Sequence, residues 1–142
     1  MRMTSVRVCL LAAAAIALTV AAAAQEGHPL AGTWYGDFST GNQKNDLTVI
    51  MKWDGRSVTG LINPGPDSRP ITSAVLTITD PGKPAAEGQR STEGIPPKFH
   101  VRFEVDGRTF EGMLQNPVAG NRRLTGTWTR GAEKGTFQIR RL

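Results

Sequence analysis

The stretch Lys98-Phe99-His100-Val101-Arg102-Phe103-Glu104-Val105-Asp106-Gly107-Arg108-Thr109-Phe110-Glu111-Gly112-Met113-Leu114 decides the fold. Phe99, Val101, Phe103 and Val105 fall on one face of an extended chain, and His100, Arg102 and Glu104 fall on the other. Strict alternation of this kind is the signature of a strand with one buried side. Asp106-Gly107 follows, a residue pair that tolerates the positive φ of a two-residue hairpin turn. Phe110, Gly112 and Leu114 then resume the alternation. Residues 98–105 and 108–115 therefore read as one antiparallel hairpin.

The same pattern extends in both directions. Upstream, Trp34, Gly36 and Phe38 share one face, as do Leu47, Val49, Met51 and Trp53, and then Val58, Gly60 and Ile62. Residues 71–79 are rich in β-branched side chains. Downstream, Leu124, Gly126 and Trp128 share a face, as do Phe137 and Ile139. The expected strands are 33–38, 46–53, 57–63, 71–79, 98–105, 108–115, 123–129 and 134–141. Asp54-Gly55 reads as a second two-residue hairpin, and Gly131 marks another short turn. No helix of useful length is expected. Eight short strands in sequential hairpins indicate an all-β fold, an eight-stranded antiparallel up-and-down barrel, with a β-sandwich as the alternative.

Glycines 36, 60, 112 and 126 lie mid-strand on the apolar face. Glycine weakens a strand, so its presence there indicates a sharp bend or close packing beneath a bulky ring, and Trp34, Trp53 and Trp128 are such rings. Asp54 to Gly60 echoes Asp106 to Gly112, and each copy runs on to Asn-Pro, at Asn63-Pro64 and Asn116-Pro117. The segment Asp80 to Pro97 is long and proline-rich, which reads as disorder or as a lid over one barrel mouth.

The first 24 residues are set apart from the domain. Arg2 and Arg7 precede an apolar run, Val8 to Val20, and the small residues Ala21 to Ala24 complete the three-part pattern of a cleavable signal peptide. The expected organisation is a signal peptide over 1–24 and a single barrel domain over 25–142, with no membrane span left after cleavage. Periplasmic or secreted localisation follows. Cys9 departs with the signal, so the mature chain can form no disulfide and must rely on packing. Loss of Arg2 and Arg7 takes two charges from the formal +5 of the whole chain, leaving +3. Basic residues crowd the last stretch, including Arg122, Arg123, Arg140 and Arg141. Without interleaved aromatics and in an exported protein, that cluster does not indicate nucleic acid; it reads as a solvated face or a contact for an anionic envelope partner.

Catalytic patterns are lacking. A nucleophile needs an adjacent, oriented base, yet His28 sits before Pro29 at the entry to the first strand and His100 lies on a polar strand face. Asp37, Asp46, Asp54, Asp67, Asp106 and Glu111 could serve a hydrolase, but no spacing pairs them. No His/Cys cluster suggests zinc or another metal, and no nucleotide motif suggests a cofactor.

Gly32-Thr33-Trp34-Tyr35 resembles the opening of the calycin group, the lipocalins and avidins. In lipocalins a late arginine packs over that tryptophan, a part that the resemblance gives to Arg140 or Arg141. Avidins place an Asn after the Tyr to hold biotin; here Gly36 stands there, so biotin is not implied. Ala31-Gly32-Thr33-Trp34 is also similar to the start of some bacterial periplasmic protease inhibitors, which carry a disulfide that this chain cannot make. The mature chain as a whole resembles an uncharacterised family of small exported bacterial β-barrel proteins, through His28-Pro29-Leu30, Gly36-Asp37-Phe38, Trp53-Asp54-Gly55, Ile62 to Asp67 and Gly126-Thr127-Trp128.

The expected function is that of a non-catalytic binding module. Its candidate ligand site is the barrel interior, at Trp34, Phe38, Met51, Trp53, Phe103 and Trp128, whose rings suit a small apolar ligand. The alternative is an interaction or inhibitor-like protein that engages an envelope macromolecule through its outer face or the 80–97 loop. A hydrolase is a remote third reading.

Overall fold

The computed structural model describes residues 27–88, 94–117 and 120–142; the proposed signal peptide, 1–24, lies outside them. Eight strands follow in order: β1 (Gly32–Thr40), β2 (Gln43–Trp53), β3 (Val58–Ile62), β4 (Arg69–Asp80), β5 (Lys98–Val105), β6 (Arg108–Gln115), β7 (Arg123–Arg130) and β8 (Glu133–Arg141). Each pairs antiparallel with the next, and β8 returns to β1, so the sheet closes as an up-and-down barrel. The described residues contain no helix.

The hairpin at 98–115 has the expected bounds and the expected turn. Val105 pairs with Arg108, and both intervening residues take positive φ, Asp106 at 50° and Gly107 at 73°. Asp54-Gly55 differs. Trp53 pairs with Val58, so the connection has four residues, 54–57. The Asp54 carboxylate organises it: Oδ1 accepts the amides of Arg56 at 2.8 Å and Ser57 at 2.7 Å, and Oδ2 accepts the Ser57 hydroxyl at 3.1 Å. A side chain that caps the loop in this way favours an Asx turn over a two-residue hairpin. The same bonds, chiefly the Ser57 amide and then that of Arg56, hold the Asp54 carboxyl below its ordinary pKa. Strands β1 and β2 also run further than the apolar pattern shows, meeting at a two-residue turn after Thr40, which pairs with Gln43. Ser39-Thr40 and Gln43-Lys44-Asn45 are polar throughout, so pairing continues where alternation gives no sign of it.

In β4 the alternation is reset. Register shifts occur between Ile71 and Ser73 and again between Ile78 and Asp80, as at β-bulges. Beyond β4, Lys83 and Ile95 form an antiparallel bridge, with both N–O distances 2.7 Å, so the described ends of the 80–97 segment continue the β4–β5 hairpin past the rim. The echoed Asn-Pro pairs share a backbone state, since Asn63 (φ 47°) and Asn116 (φ 53°) are both left-handed.

Closure depends on how near the strands approach. A Cβ on Gly126 would lie 2.5 Å from the Gly112 Cα and 2.7 Å from the Glu111 carbonyl carbon. Gly112 and Gly126 face each other across β6–β7. Gly36 and Gly60 meet backbone in the same way, at Gln138–Ile139 and at Ile50–Met51. These four glycines therefore abut neighbouring strands rather than the tryptophan rings that the sequence suggests. Gly135, by contrast, does sit beneath a tryptophan, with the Trp128 Nε1 2.5 Å from where its Cβ would stand.

Every fully buried side chain among the described residues is apolar. Phe103 and Phe110, paired across β5–β6, stack at 4.7 Å and 2°, and Phe137 meets both edge-on. Phe103 is wholly buried, whereas Arg102 is exposed and bridges Glu104 and Glu111 at the surface. Phe103→Ala should therefore cost about 3–5 kcal/mol, and Arg102→Ala under about 1 kcal/mol. Denaturant midpoints measure both, and equal midpoints would contradict this register.

Candidate functional site

The six interior residues singled out in the sequence all face inward, and the structure divides them between the two ends of the barrel. Trp34 and Met51 lie towards one end, fully buried. The Trp34 indole N–H donates to the Leu30 carbonyl at 2.8 Å, so residues 28–31 fold under the barrel and Leu30 becomes core. Trp53 is half-buried at the same end, where His28 stacks on it at 4.5 Å. Arg141 stands opposite Trp34 in the β1–β8 register with its Nε buried, and Arg122 Nη1 donates to the Pro29 carbonyl at 3.0 Å. The late arginine beside the first-strand tryptophan is thus Arg141, and Arg140 points outward. Burial, with the nearby Arg141 charge added, lowers the Arg122 pKa from its ordinary value.

Phe38, Phe103 and Trp128 fill the other half. Phe38 meets Trp128 edge-on at 5.9 Å, and the Trp128 N–H donates to the Ser39 carbonyl at 2.7 Å. Arg108 lies over the rings of Phe38 and Trp128, 5.5 and 5.4 Å from their centroids. A guanidinium over two aromatic faces gains electrostatic attraction and covers apolar surface with its stem. Both ends are therefore capped, one by His28, Leu30 and Arg141, the other by Arg108.

A cleft on the outside holds about 300 Å³ and lies across β6, β7, β8 and β1, with Gly36 and Ile139 contributing to its wall. Two rows of outward side chains cross it. Gln115 pairs with Arg123, Arg123 with Arg140, and Arg140 with Tyr35. Beside that row, Thr125 pairs with Gln138 and Gln138 with Asp37. The Gln138 Nε2 donates to the Asp37 Oδ2 at 3.1 Å. Asp46 faces Asp37 across β1–β2 but does not line the cleft. The sequence shows that these residues point outward. Their meeting depends on β8 closing onto β1, a pairing that no local pattern reveals.

Neither histidine is placed for nucleophilic chemistry. The His28 Nδ1 accepts the Leu30 amide at 3.2 Å, so that nitrogen carries no proton and the ring is committed to the cap. His100 lies between Thr77 and Met113 on the outer face. Among the described residues no group of three or more His, Cys, Asp or Glu could hold a metal ion.

No family model matches the chain. No curated protein matches it in sequence either.

The cap carries a pH dependence. Burial lowers the His28 pKa below 6.5. The unfolded state then binds more protons than the folded state between the two pKa values, so stability is complete above about pH 6.5 and falls as pH drops towards the folded-state value. His28→Phe keeps a ring against Trp53 but cannot titrate. Denaturant melts from pH 8 to 5 should show a smaller loss of stability on acidification in His28→Phe than in the wild type, and parallel profiles would contradict this role for His28.

Proposed function

We propose that the protein is an exported, non-catalytic binding module that works through the outer face of its barrel, at the β6–β7–β8–β1 cleft. The signal-peptide pattern over 1–24 supports export to the periplasm or beyond. The observation that carries the outer-face reading is the filled interior. Trp34, Trp128, Phe103 and Phe110 are each no more than 1% exposed; Phe103 stacks on Phe110, Trp128 lies beneath Arg108 and Trp34 is bonded to the Leu30 cap. A small apolar ligand would have to displace core side chains, at a cost of several kcal/mol by analogy with core substitutions. An outer site requires no such displacement. The cleft volume lies at the small end of the range for small-molecule sites.

Titration of the mature protein with fatty acids, retinol and a steroid should leave tryptophan emission unchanged. Saturable quenching by any of them that persists in Trp53→Phe, which removes the half-buried ring at the rim, would overturn the outer-face reading, because Trp34 and Trp128 line only the interior. Native mass spectrometry of protein recovered from its own export compartment supplies the positive arm: a retained small molecule should be lost from Thr125→Trp, which fills the cleft.

A further inference from the structure

Arg123 and Arg140 are the feature of the cleft that packing does not explain. They stand directly opposite each other on β7 and β8, where Cβ atoms are about 5 Å apart and like charges are destabilising. Both are exposed. Neither side chain forms an ion pair, a hydrogen bond or a ring contact with any described residue. Arg102 bridges two glutamates, Arg108 covers two rings and Arg122 binds a carbonyl; Arg56 and Arg130 also lack a side-chain partner among the described residues, but neither faces a second arginine across a strand pair. Two adjacent guanidiniums with no partner form a ready fork for an oxyanion.

The surroundings narrow the choice of anion. Tyr35, next to Arg140 in the row, is 42% exposed and has no ring contact with another described residue, so a flat apolar face is open at the edge of the cleft. The second row lies two residues further along each strand, roughly 7 Å away. It offers the Thr125 hydroxyl, the Gln138 amide and the Asp37 carboxylate. A carboxylate there repels a second negative charge and accepts hydrogen bonds from hydroxyl groups. The cleft is thus positive in one row and hydroxyl-seeking in the other, with an aromatic face beside them.

Resting on the outer-face reading, we propose that this cleft binds the uronic-acid unit of an acidic saccharide. Its carboxylate is held between Arg123 and Arg140, its ring lies against Tyr35, and its hydroxyls meet Gln138, Thr125 and Asp37. A phosphate dianion would satisfy the arginine row but would leave the Asp37 row facing excess negative charge. An acidic peptide would offer N–H donors to Asp37 but not the adjacent hydroxyls, each both donor and acceptor, that Thr125, Gln138 and Asp37 together can meet.

The test is amide NMR of the mature protein titrated with trigalacturonate, with the neutral galactose trimer of the same linkage, with inorganic phosphate and with a triglutamate peptide. Trigalacturonate should give saturable shifts at Tyr35, Thr125, Gln138 and Arg140, weakened by added salt, and the neutral trimer should give none. Arg123→Gln or Arg140→Gln should weaken binding about tenfold or more, the loss expected for a charge-assisted hydrogen bond. Their denaturation midpoints should match or exceed the wild type, since each substitution relieves a like-charge pair. A midpoint well below the wild type would assign these arginines a structural role and overturn the proposal. Phosphate or triglutamate binding at the cleft as tightly as trigalacturonate would overturn the saccharide while leaving the outer-face reading standing. No saturable shift with any of the four probes would also overturn the saccharide, and the outer-face reading would then be judged by the tryptophan titration alone.

Discussion

Contact between the backbones of neighbouring strands at glycine shapes the rest of this structure. At Gly112 and Gly126 two strands approach so closely that each position has room for a hydrogen and nothing larger. Gly36 does the same where the last strand returns to the first. A closed eight-stranded sheet must bend and coil along every strand, and side chains directed at a neighbouring backbone would prevent it. Removing the Cβ at those points lets the barrel close on a narrow interior. The narrowness in turn explains how rings from five strands can touch across it and leave the described core wholly apolar.

A filled interior moves recognition to other surfaces. The ends of the barrel are occupied by the protein's own residues: His28 on Trp53 and Leu30 beneath Trp34 at one end, Arg108 over Phe38 and Trp128 at the other. Polar chemistry that is not spent on the fold collects on the outer faces of β6, β7, β8 and β1. There the Arg123–Arg140 pair runs against electrostatic economy, and surface like-charge pairs of this kind weaken a sheet unless something binds them. The proposed ligand class rests on that imbalance, and the outer-face reading rests on the filled interior.

Much of this was legible in the sequence where a residue's neighbours along the chain decide its place. Phe99 to Val105 and the Asp106-Gly107 turn gave strand bounds, facing and turn type together, because alternation and positive φ are local properties. The strand ends beyond Phe38 and before Asp46 were not legible, since Ser39, Thr40 and Gln43 to Asn45 are polar and carry no alternation. Asp54-Gly55 misled because the Asp54 carboxylate, through its bonds to Arg56 and Ser57, stabilises a longer loop than the dipeptide alone implies. The glycines were rightly read as marks of close packing, but their partner was the backbone of the next strand, which only the register identifies. The inward facing of Trp34, Phe38, Met51, Trp53, Phe103 and Trp128 was legible too. Whether those rings leave space depends on volume in three dimensions, and the cleft depends on β1 meeting β8, so neither could be read along the chain.

The central claim is that backbone contact at glycine, rather than ring packing over it, closes this barrel. Chemical denaturation of Gly126→Ala beside Gly120→Ala tests it most directly. A methyl group added at Gly120 would meet nothing within 4 Å, so its substitution controls for glycine flexibility in the unfolded chain. The account predicts that Gly120→Ala keeps or slightly raises the midpoint while Gly126→Ala loses about 1–3 kcal/mol or fails to fold, as overpacking against an immovable neighbour does. Equal midpoints in the two variants would contradict it.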